Sequence, residues 1–327
     1  MKKIRLLLVI VIALFSLFFV SITFHQALAK EIVPIVTPGS GGTAYILGAG
    51  VGTIARKYVP EVDCMVQAES GVTTMLKQVH EYWKAGKPAL TVCDGNGIWS
   101  AYNSAGLFAG KEKYSELRGI TFLHGVELYF VVKKKSGIKS YSDVKGKRIA
   151  VGPPGSSVGA SGLLLFNAHG LTEKDFKPVY LSYSETVEGI ANGSIDGGIL
   201  AGSTPVASYN ELALTQDVTI IPVRADVIKS ITEKYLYFYP VTVAKGTYKG
   251  LDNDVPTVAF SSILATHEQT SPDVVYKLVK AIYEHKGDLV AVHKAAQEIT
   301  KKSALVGIGV PLHQGAQKYF REIGILK

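Results

Sequence analysis

Cysteine, tryptophan and methionine are scarce in this sequence, at two, two and three of 327 residues. With only Cys64 and Cys93, at most one disulfide is available, so the fold must rest on apolar cores. Beyond the N-terminal segment no apolar run reaches membrane-spanning length. The eight histidines fall in no zinc-protease or zinc-finger spacing, and no metal is expected. No Gly-Lys-Ser or Gly-Lys-Thr closes a glycine loop, which excludes a phosphate-binding loop of the ATPase kind. Charge of one sign is not concentrated either. The densest basic run, Lys133-Lys134-Lys135, reads as a solvated strand end and not as a nucleic-acid face.

What is present begins with Lys2, Lys3 and Arg5, an apolar run from Leu6 to Val20, and the small-x-small triplet Ala27-Leu28-Ala29. That order reads as a secretory signal cleaved after Ala29, placing the mature chain in the periplasm; the alternative is an uncleaved anchor. Cleavage removes three positive charges and no negative ones, taking the formal charge from +8 to +5. An exported, mildly basic surface concentrates acidic solutes and has no evident nucleic-acid partner.

The mature chain opens with an apolar strand, Ile32-Val33-Pro34-Ile35-Val36, then Thr37-Pro38-Gly39-Ser40-Gly41-Gly42-Thr43 and a helical segment to about Tyr58. Strands at Val62–Val66 and Ala89–Cys93 follow, each leading into a helix, so the order β-α-β-α-β-α implies a parallel sheet. Cys64 and Cys93 then sit in the two neighbours of the first strand. Their Cα atoms are about 9–10 Å apart, beyond disulfide reach, so two free thiols are expected. A long β-rich run over Gly119–Val132 reads as a crossing into a second domain. There Ile149-Ala150-Val151 and Gly152–Ser157 repeat the strand, glycine turn and helix of the opening. A second long run, Val255–Thr266, returns the chain, and helical periodicity from Pro272 to Ile323 wraps the first domain. The expectation is a two-lobed α/β clamp of the periplasmic-binding-protein kind (type II), with two hinge strands and the ligand cleft between lobes. Lobe I is 30–125 plus 255–327, and lobe II is 126–254.

Candidate ligand residues lie where such strands end. They are Gly41, Gly42, Thr43 and Tyr45; Ser70 and Gly71; Gly155, Ser156 and Ser157; and Gly202, Ser203 and Thr204. Glycine turns leading into helices present backbone N–H donors, and the hydroxyls add further donors, which suits a carboxylate. Gly39-x-Gly41-x-x-Ala44 also fits the dinucleotide fingerprint. Its acid, Glu69, comes about 25 residues after the turn, later than the roughly 20 expected, and no cofactor is called for. Cys93 reads as a buried small hydrophobe or as a thiol at a strand end. Asp94 reads as a helix N-cap that also stands at the ligand end of its strand. No acid, base and nucleophile set assembles from these loops, so the chain is not expected to be an enzyme.

The sequence resembles the TAXI-type solute receptors of tripartite ATP-independent periplasmic (TRAP) transporters over the whole mature chain. The resemblance is carried by Gly39-Ser40-Gly41-Gly42-Thr43, Gln67-Ala68-Glu69-Ser70-Gly71, Ser136-Gly137-Ile138-Lys139-Ser140 and Asp143-Val144-Lys145-Gly146-Lys147-Arg148. Val151-Gly152-Pro153-Pro154-Gly155-Ser156, Tyr180-Leu181-Ser182-Tyr183-Ser184-Glu185, Gly246-Thr247-Tyr248 and Val310-Pro311-Leu312-His313-Gln314-Gly315-Ala316 extend it. It implies a monomeric periplasmic receptor that delivers glutamate-like amino acids or dicarboxylates to membrane permease subunits. Two departures stand out. Ser157-Val158-Gly159 replaces the family's Gly-Thr-Arg, and Cys93-Asp94-Gly95 replaces its Gln-Ser-Asp. Losing the arginine and placing a carboxylate at position 94 favour a small organic acid carrying an amine or hydroxyl, an amino acid first. A ligand-presenting sensor for a membrane kinase is the alternative, and an exported enzyme on the same scaffold is a further one.

Overall fold

The computed structural model describes residues 30–327 apart from Ser40, Gly41, Ser70 and Pro154. The expected signal segment therefore lies outside the described residues. The first unit is β1 (Glu31–Pro38), α1 (Thr43–Tyr58), β2 (Val62–Glu69), α2 (Val72–Lys84), β3 (Leu90–Asp94) and α3 (Gly95–Asn103). Next come the long β4 (Leu117–Lys133), β5 (Arg148–Ala150), α4 (Ser157–Ala168), β6 (Lys177–Val179) and α5 (Tyr183–Asn192). They are followed by β7 (Gly197–Gly202), α6 (Ala207–Thr215), β8 (Val218–Ile221), α7 (Ala225–Lys234) and β9 (Phe238–Val243). The chain ends with the long β10 (Val255–His267), α8 (Pro272–Glu284), α9 (Lys286–Val292) and α10 (Gln314–Glu322).

One sheet of ten strands runs through both lobes in the order β2-β1-β3-β10-β4-β7-β5-β6, with β8 on β4 and β9 on β10. β1 pairs parallel with β2 and β3, as helix crossovers require, because no hairpin turn joins them. β4 and β10 run antiparallel to each other and to their outer neighbours, β7 and β3. The 17 residues of β4 are enough to span about 55 Å, so one strand serves both lobes. Its Leu117–Phe122 part pairs with His267–Ile263 of β10, and its Glu127–Val132 part with Gly202–Gly197 of β7. The β4–β10 register slips at Ser262/Ile263 and Leu264/Ala265, where bulges bend the pair.

Helices cover both faces of each half. In lobe I, α1 and the C-terminal helices pack Leu47, Val51, Leu278 and Phe320 on one face. Met75, Leu76, Ile98 and Phe108 cover the other. In lobe II, Leu165, Phe166 and Phe130 pack on one face, and Tyr209, Leu212 and Tyr129 on the opposite one. Cys64 belongs to the first face of lobe I and Cys93 to the second, both free and buried. Two free thiols are thus observed, separated by a strand and by the sheet itself.

Two segments depart from the sequence reading. β9 is an additional strand; its Phe238–Val243 lies on β10 as a hairpin partner and adds a third strand to the crossing. The expected helical wrap is interrupted from Ile299 to His313, where the chain carries positive-φ glycines at Gly307 and Gly309 and returns to bridge Gly119 through Leu312. That return fixes the C-terminal segment against the hinge. Farther along, α10 meets α8 at Gly315. A Cβ at Gly315 would stand 2.2 Å from Pro272 O and 2.7 Å from Tyr276 N, both backbone atoms that cannot give way. Gly315→Ala is expected to cost about 1–3 kcal/mol, read as a lower urea midpoint; an unchanged midpoint would show that the α8–α10 contact yields.

Candidate functional site

Loops at the carboxyl ends of β1, β6 and β7 border one cavity, and those after β3 and β5 lead into the helices that meet beside it. Gly42, Gly71 and Asp94 occupy the N-cap positions of α1, α2 and α3, and none supplies a side-chain cap hydrogen bond. Three helices of lobe I therefore begin with first-turn N–H groups that no capping side chain satisfies. Lobe II differs, since Ser156 caps α4 through Gly159 N at 3.0 Å and Ser182 caps α5. Val206, at the N-cap of α6, again provides no side-chain cap.

Gly42, Thr43, Gly202, Ser203 and Thr204 line one cavity of about 780 Å³. Tyr183 at the start of α5 and His293, Lys294 and Glu298 from the C-terminal segment complete its walls. Beside it the lobes touch directly. Asn96 on α3 donates through Nδ2 to Ser157 O at 3.0 Å and to Ser161 Oγ at 3.0 Å, both on α4. Ser157 and Asp94 belong to this seam. Burial pushes the Asp94 carboxyl up to about 6, and a hydrogen bond from Ser157 holds it from rising further. Tyr183 is close enough for the Asp94 charge to add to the upward push that burial gives its phenol.

The remaining sequence candidates are placed elsewhere. Tyr45 is half-buried in the first turn of α1, Gly71 heads α2, and Gly155 is exposed in the turn before α4 with φ +66°. None of the three lines the cavity. The Ser156 hydroxyl is occupied, donating to Pro153 O at 2.8 Å while it accepts from Gly159 N. Cys93 is fully buried among Val36, Met75 and Ile98, and burial holds its thiol well above the usual range. It is a core residue, because its side chain points into the face covered by α2 and α3. Gly41 and Ser70 lie outside the described residues. Asp94 corrects one expectation outright: it stands at the N-cap position, yet its carboxylate makes no cap and turns to the seam instead.

The chain matches the NMT1-like family over residues 35–324. It belongs to that family. Among solved structures it resembles a TctC solute-binding protein from Polaromonas, at 13% identity and a TM-score of 0.53, covering 91% of this chain and 99% of that one. It also resembles MatC from Rhodopseudomonas palustris with bound malate, at 14% identity and a TM-score of 0.53 over 90% and 98% of the two chains. A periplasmic sulfonate-binding protein SsuA from Methylobacillus flagellatus follows at 14% and 0.52, over 90% and 96%. At these identities the likeness is one of fold, and it carries the two-lobed architecture.

In this NMT1-like chain several cleft groups lie outside the sequence candidates. Glu298 accepts from Gly125 N at 2.7 Å, tying the C-terminal segment to the bend of β4. Burial raises its carboxyl, and the nearby Glu127 adds to the rise. Glu127 itself accepts from the Tyr129 hydroxyl at 2.7 Å and from Thr204. Among the described residues neither carboxylate has a basic partner. His124 is buried and kept neutral, its pKa lowered to about 4 by burial; its Nδ1 lies 3.2 Å from Ser203 Oγ. These residues come from strand interiors and a late 3-10 turn, where nothing in spacing marks them as cleft residues. Gly155-Ser156-Ser157-Val158-Gly159 has the Gly-x-Ser-x-Gly spacing of a nucleophile elbow, which corrects a reading of the sequence as lacking one. Here Ser157 opens α4, no histidine among the described residues hydrogen-bonds its hydroxyl, and it serves Asp94.

Because burial raises the Asp94 pKa, this arrangement favours the protonated form, and that contribution is lost as pH rises through about 6. A ligand ammonium needs the ionised form, so binding of such a ligand must expel the proton. Affinity for it is expected to fall about tenfold between pH 7 and pH 5, and Asp94→Asn is expected to flatten that dependence. Titration calorimetry at the two pH values checks both; a pH profile of the Asp94→Asn variant as steep as the parent's would assign the effect elsewhere.

Proposed function

We propose that this chain is an exported solute receptor that closes on a small organic acid, an amino acid first, and hands it to a membrane permease of the TRAP type. The observation that carries the ligand class is Asp94, a carboxylate at the mouth of a strand that caps nothing and meets the other lobe. Held by one hydrogen bond from Ser157, that carboxylate keeps acceptor capacity that suits an ammonium or hydroxyl, while the uncapped helix starts at Gly42 and Val206 suit a carboxylate. The two together describe a zwitterion. The cavity wall supplies one lysine, Lys294, and no arginine among the described residues, which agrees with recognition by neutral donors over a guanidinium fork.

In this reading residues 30–125 plus 255–327 form the first lobe and 126–254 the second, with β4 and β10 as the hinge. No chemical step is assigned, since the hydroxyls of Ser156, Ser203 and Thr204 are held by backbone, by Gly125 O and by Glu127. The TAXI motifs support the permease partner, and the match of fold to solute-binding proteins supports the receptor role.

A thermal-shift panel of amino acids, monocarboxylates and dicarboxylates tests the proposal on the chain from Lys30. A ligand at 100 times its dissociation constant is expected to add about 2.7 kcal/mol. Amino acids should give the largest shifts, and Thr43→Ala should reduce them with little change to the unliganded melting temperature. Dicarboxylates leading the panel would overturn the ligand class, and silence throughout would overturn the receptor reading.

A further inference from the structure

The loop Gly202–Val206, which walls the cavity from lobe II, is held from behind by residues that do not line the cavity themselves. Val206 N donates to the Tyr248 hydroxyl at 2.6 Å, and that hydroxyl stands 3.4 Å from the Tyr129 hydroxyl. Tyr129 in turn donates to Glu127 at 2.7 Å, and Thr204 Oγ1 meets both Tyr129 and Glu127. Donors thus run in one direction, from the backbone of the loop to a carboxylate on β4. Ser203 ties down the other part of the loop by donating to Gly125 O at 2.9 Å.

Tyr248 closes the triplet Gly246-Thr247-Tyr248, whose role the sequence leaves open. It sits in the connection from β9 to β10. There Gly246, at φ +78°, donates through its N–H to Leu251 O at 2.8 Å, and Thr247 Oγ1 donates to Ala244 O at 2.7 Å, which fixes the turn. The buried Tyr248 ring packs against Tyr209 of α6 and Tyr129 of β4, with centroids 4.5 Å and 6.0 Å away. Tyr209 provides a contrast within the same cluster. Its hydroxyl is buried and has no hydrogen-bond partner among the described residues, so it holds no part of the loop.

We propose that Tyr248 is a positioning residue for ligand binding, acting through the backbone of Val206 on the start of α6. The first backbone bond of that helix runs from Asn210 N to Val206 O. The N–H groups of Ala207 and Ser208 precede it, and both residues line the cavity. Because the hydroxyls of Ser203 and Thr204 are turned to Gly125 and Glu127, these N–H groups are what this wall presents to a ligand carboxylate. Without the Tyr248 hydroxyl, Val206 N loses its acceptor in a residue only 5% exposed, and the start of α6 is free to shift. The binding role rests on the reading of this cavity as the amino-acid site; the anchoring of the loop does not.

Tyr248→Phe removes the hydroxyl and keeps the ring, while Tyr209→Phe removes a hydroxyl of the same cluster that makes no hydrogen bond. Amide exchange at Val206, followed by NMR on the chain from Lys30, is expected to quicken about tenfold in Tyr248→Phe and to keep the parent rate in Tyr209→Phe. Titration calorimetry with each protein amino acid in turn is expected to show about tenfold weaker binding to Tyr248→Phe of any that binds the parent. Tyr209→Phe should bind it as the parent does. An unchanged Val206 exchange rate in Tyr248→Phe, equal effects of the two substitutions, or faster exchange with full affinity would each overturn the proposal. Silence of the parent toward every amino acid would overturn the binding role together with the amino-acid reading, and the exchange comparison would still decide the anchor.

Discussion

The antiparallel pairing of β4 with β10 is the constraint on which the rest of the structure depends. These two strands are shared by the lobes, so every arrangement of one lobe against the other is an arrangement of that pair. Their continuous hydrogen bonding holds ten strands in one sheet, and their bulges at Ser262 and Leu264 place the bend beside His124 and Gly125. The same bend is gripped from outside by Glu298 on Gly125 N and from lobe II by Ser203 on Gly125 O. A change at the cavity wall is therefore a change at the hinge, because Glu298 and Ser203 belong to both.

Around that pair the cleft is built from groups that the fold leaves partly unsatisfied. Three helices start without side-chain caps, Asp94 faces the seam with a raised pKa, and Asn96 crosses it with one amide oxygen unpartnered among the described residues. Cores away from the cleft are closely packed, with both cysteines buried as plain apolar side chains and Gly315 so tightly seated that a methyl would clash. Unpartnered polar atoms occur in the cores as well, at Tyr141, His169 and Tyr209, so the groups open to a ligand are the uncapped helix starts that border the cavity at Gly42 and Val206.

Much of this architecture was legible in the sequence because it rests on local signals. Strand, glycine turn and helix recur at Gly39–Tyr45 and Gly152–Ser157, and the two long β-rich runs could only be crossings. The parallel neighbours of β1 followed from the order of elements, and with them the free thiols. β9 escaped a sequence reading because Phe238–Val243 is a strand only by virtue of lying on Val255–Phe260 of β10, a contact that no local pattern records. Glu127, His124 and Glu298 escaped it for the same reason, as side chains of strand interiors and a late turn that reach the cleft only through the hinge geometry. Asp94 was recognisable as a cap candidate from its position. Its carboxylate went to the seam because Ser157 of the other lobe was nearer in space than in sequence.

The central claim is that the lobes close on a zwitterionic solute. Spin labels on Glu81→Cys and Lys174→Cys, exposed positions in opposite lobes, allow the inter-lobe distance to be measured directly, while Cys64 and Cys93 stay buried and unlabelled. The account predicts a broad distance distribution in the free protein that narrows and shortens when the best amino-acid ligand saturates the cleft. A distribution unchanged by a ligand that binds and stabilises the chain would contradict it.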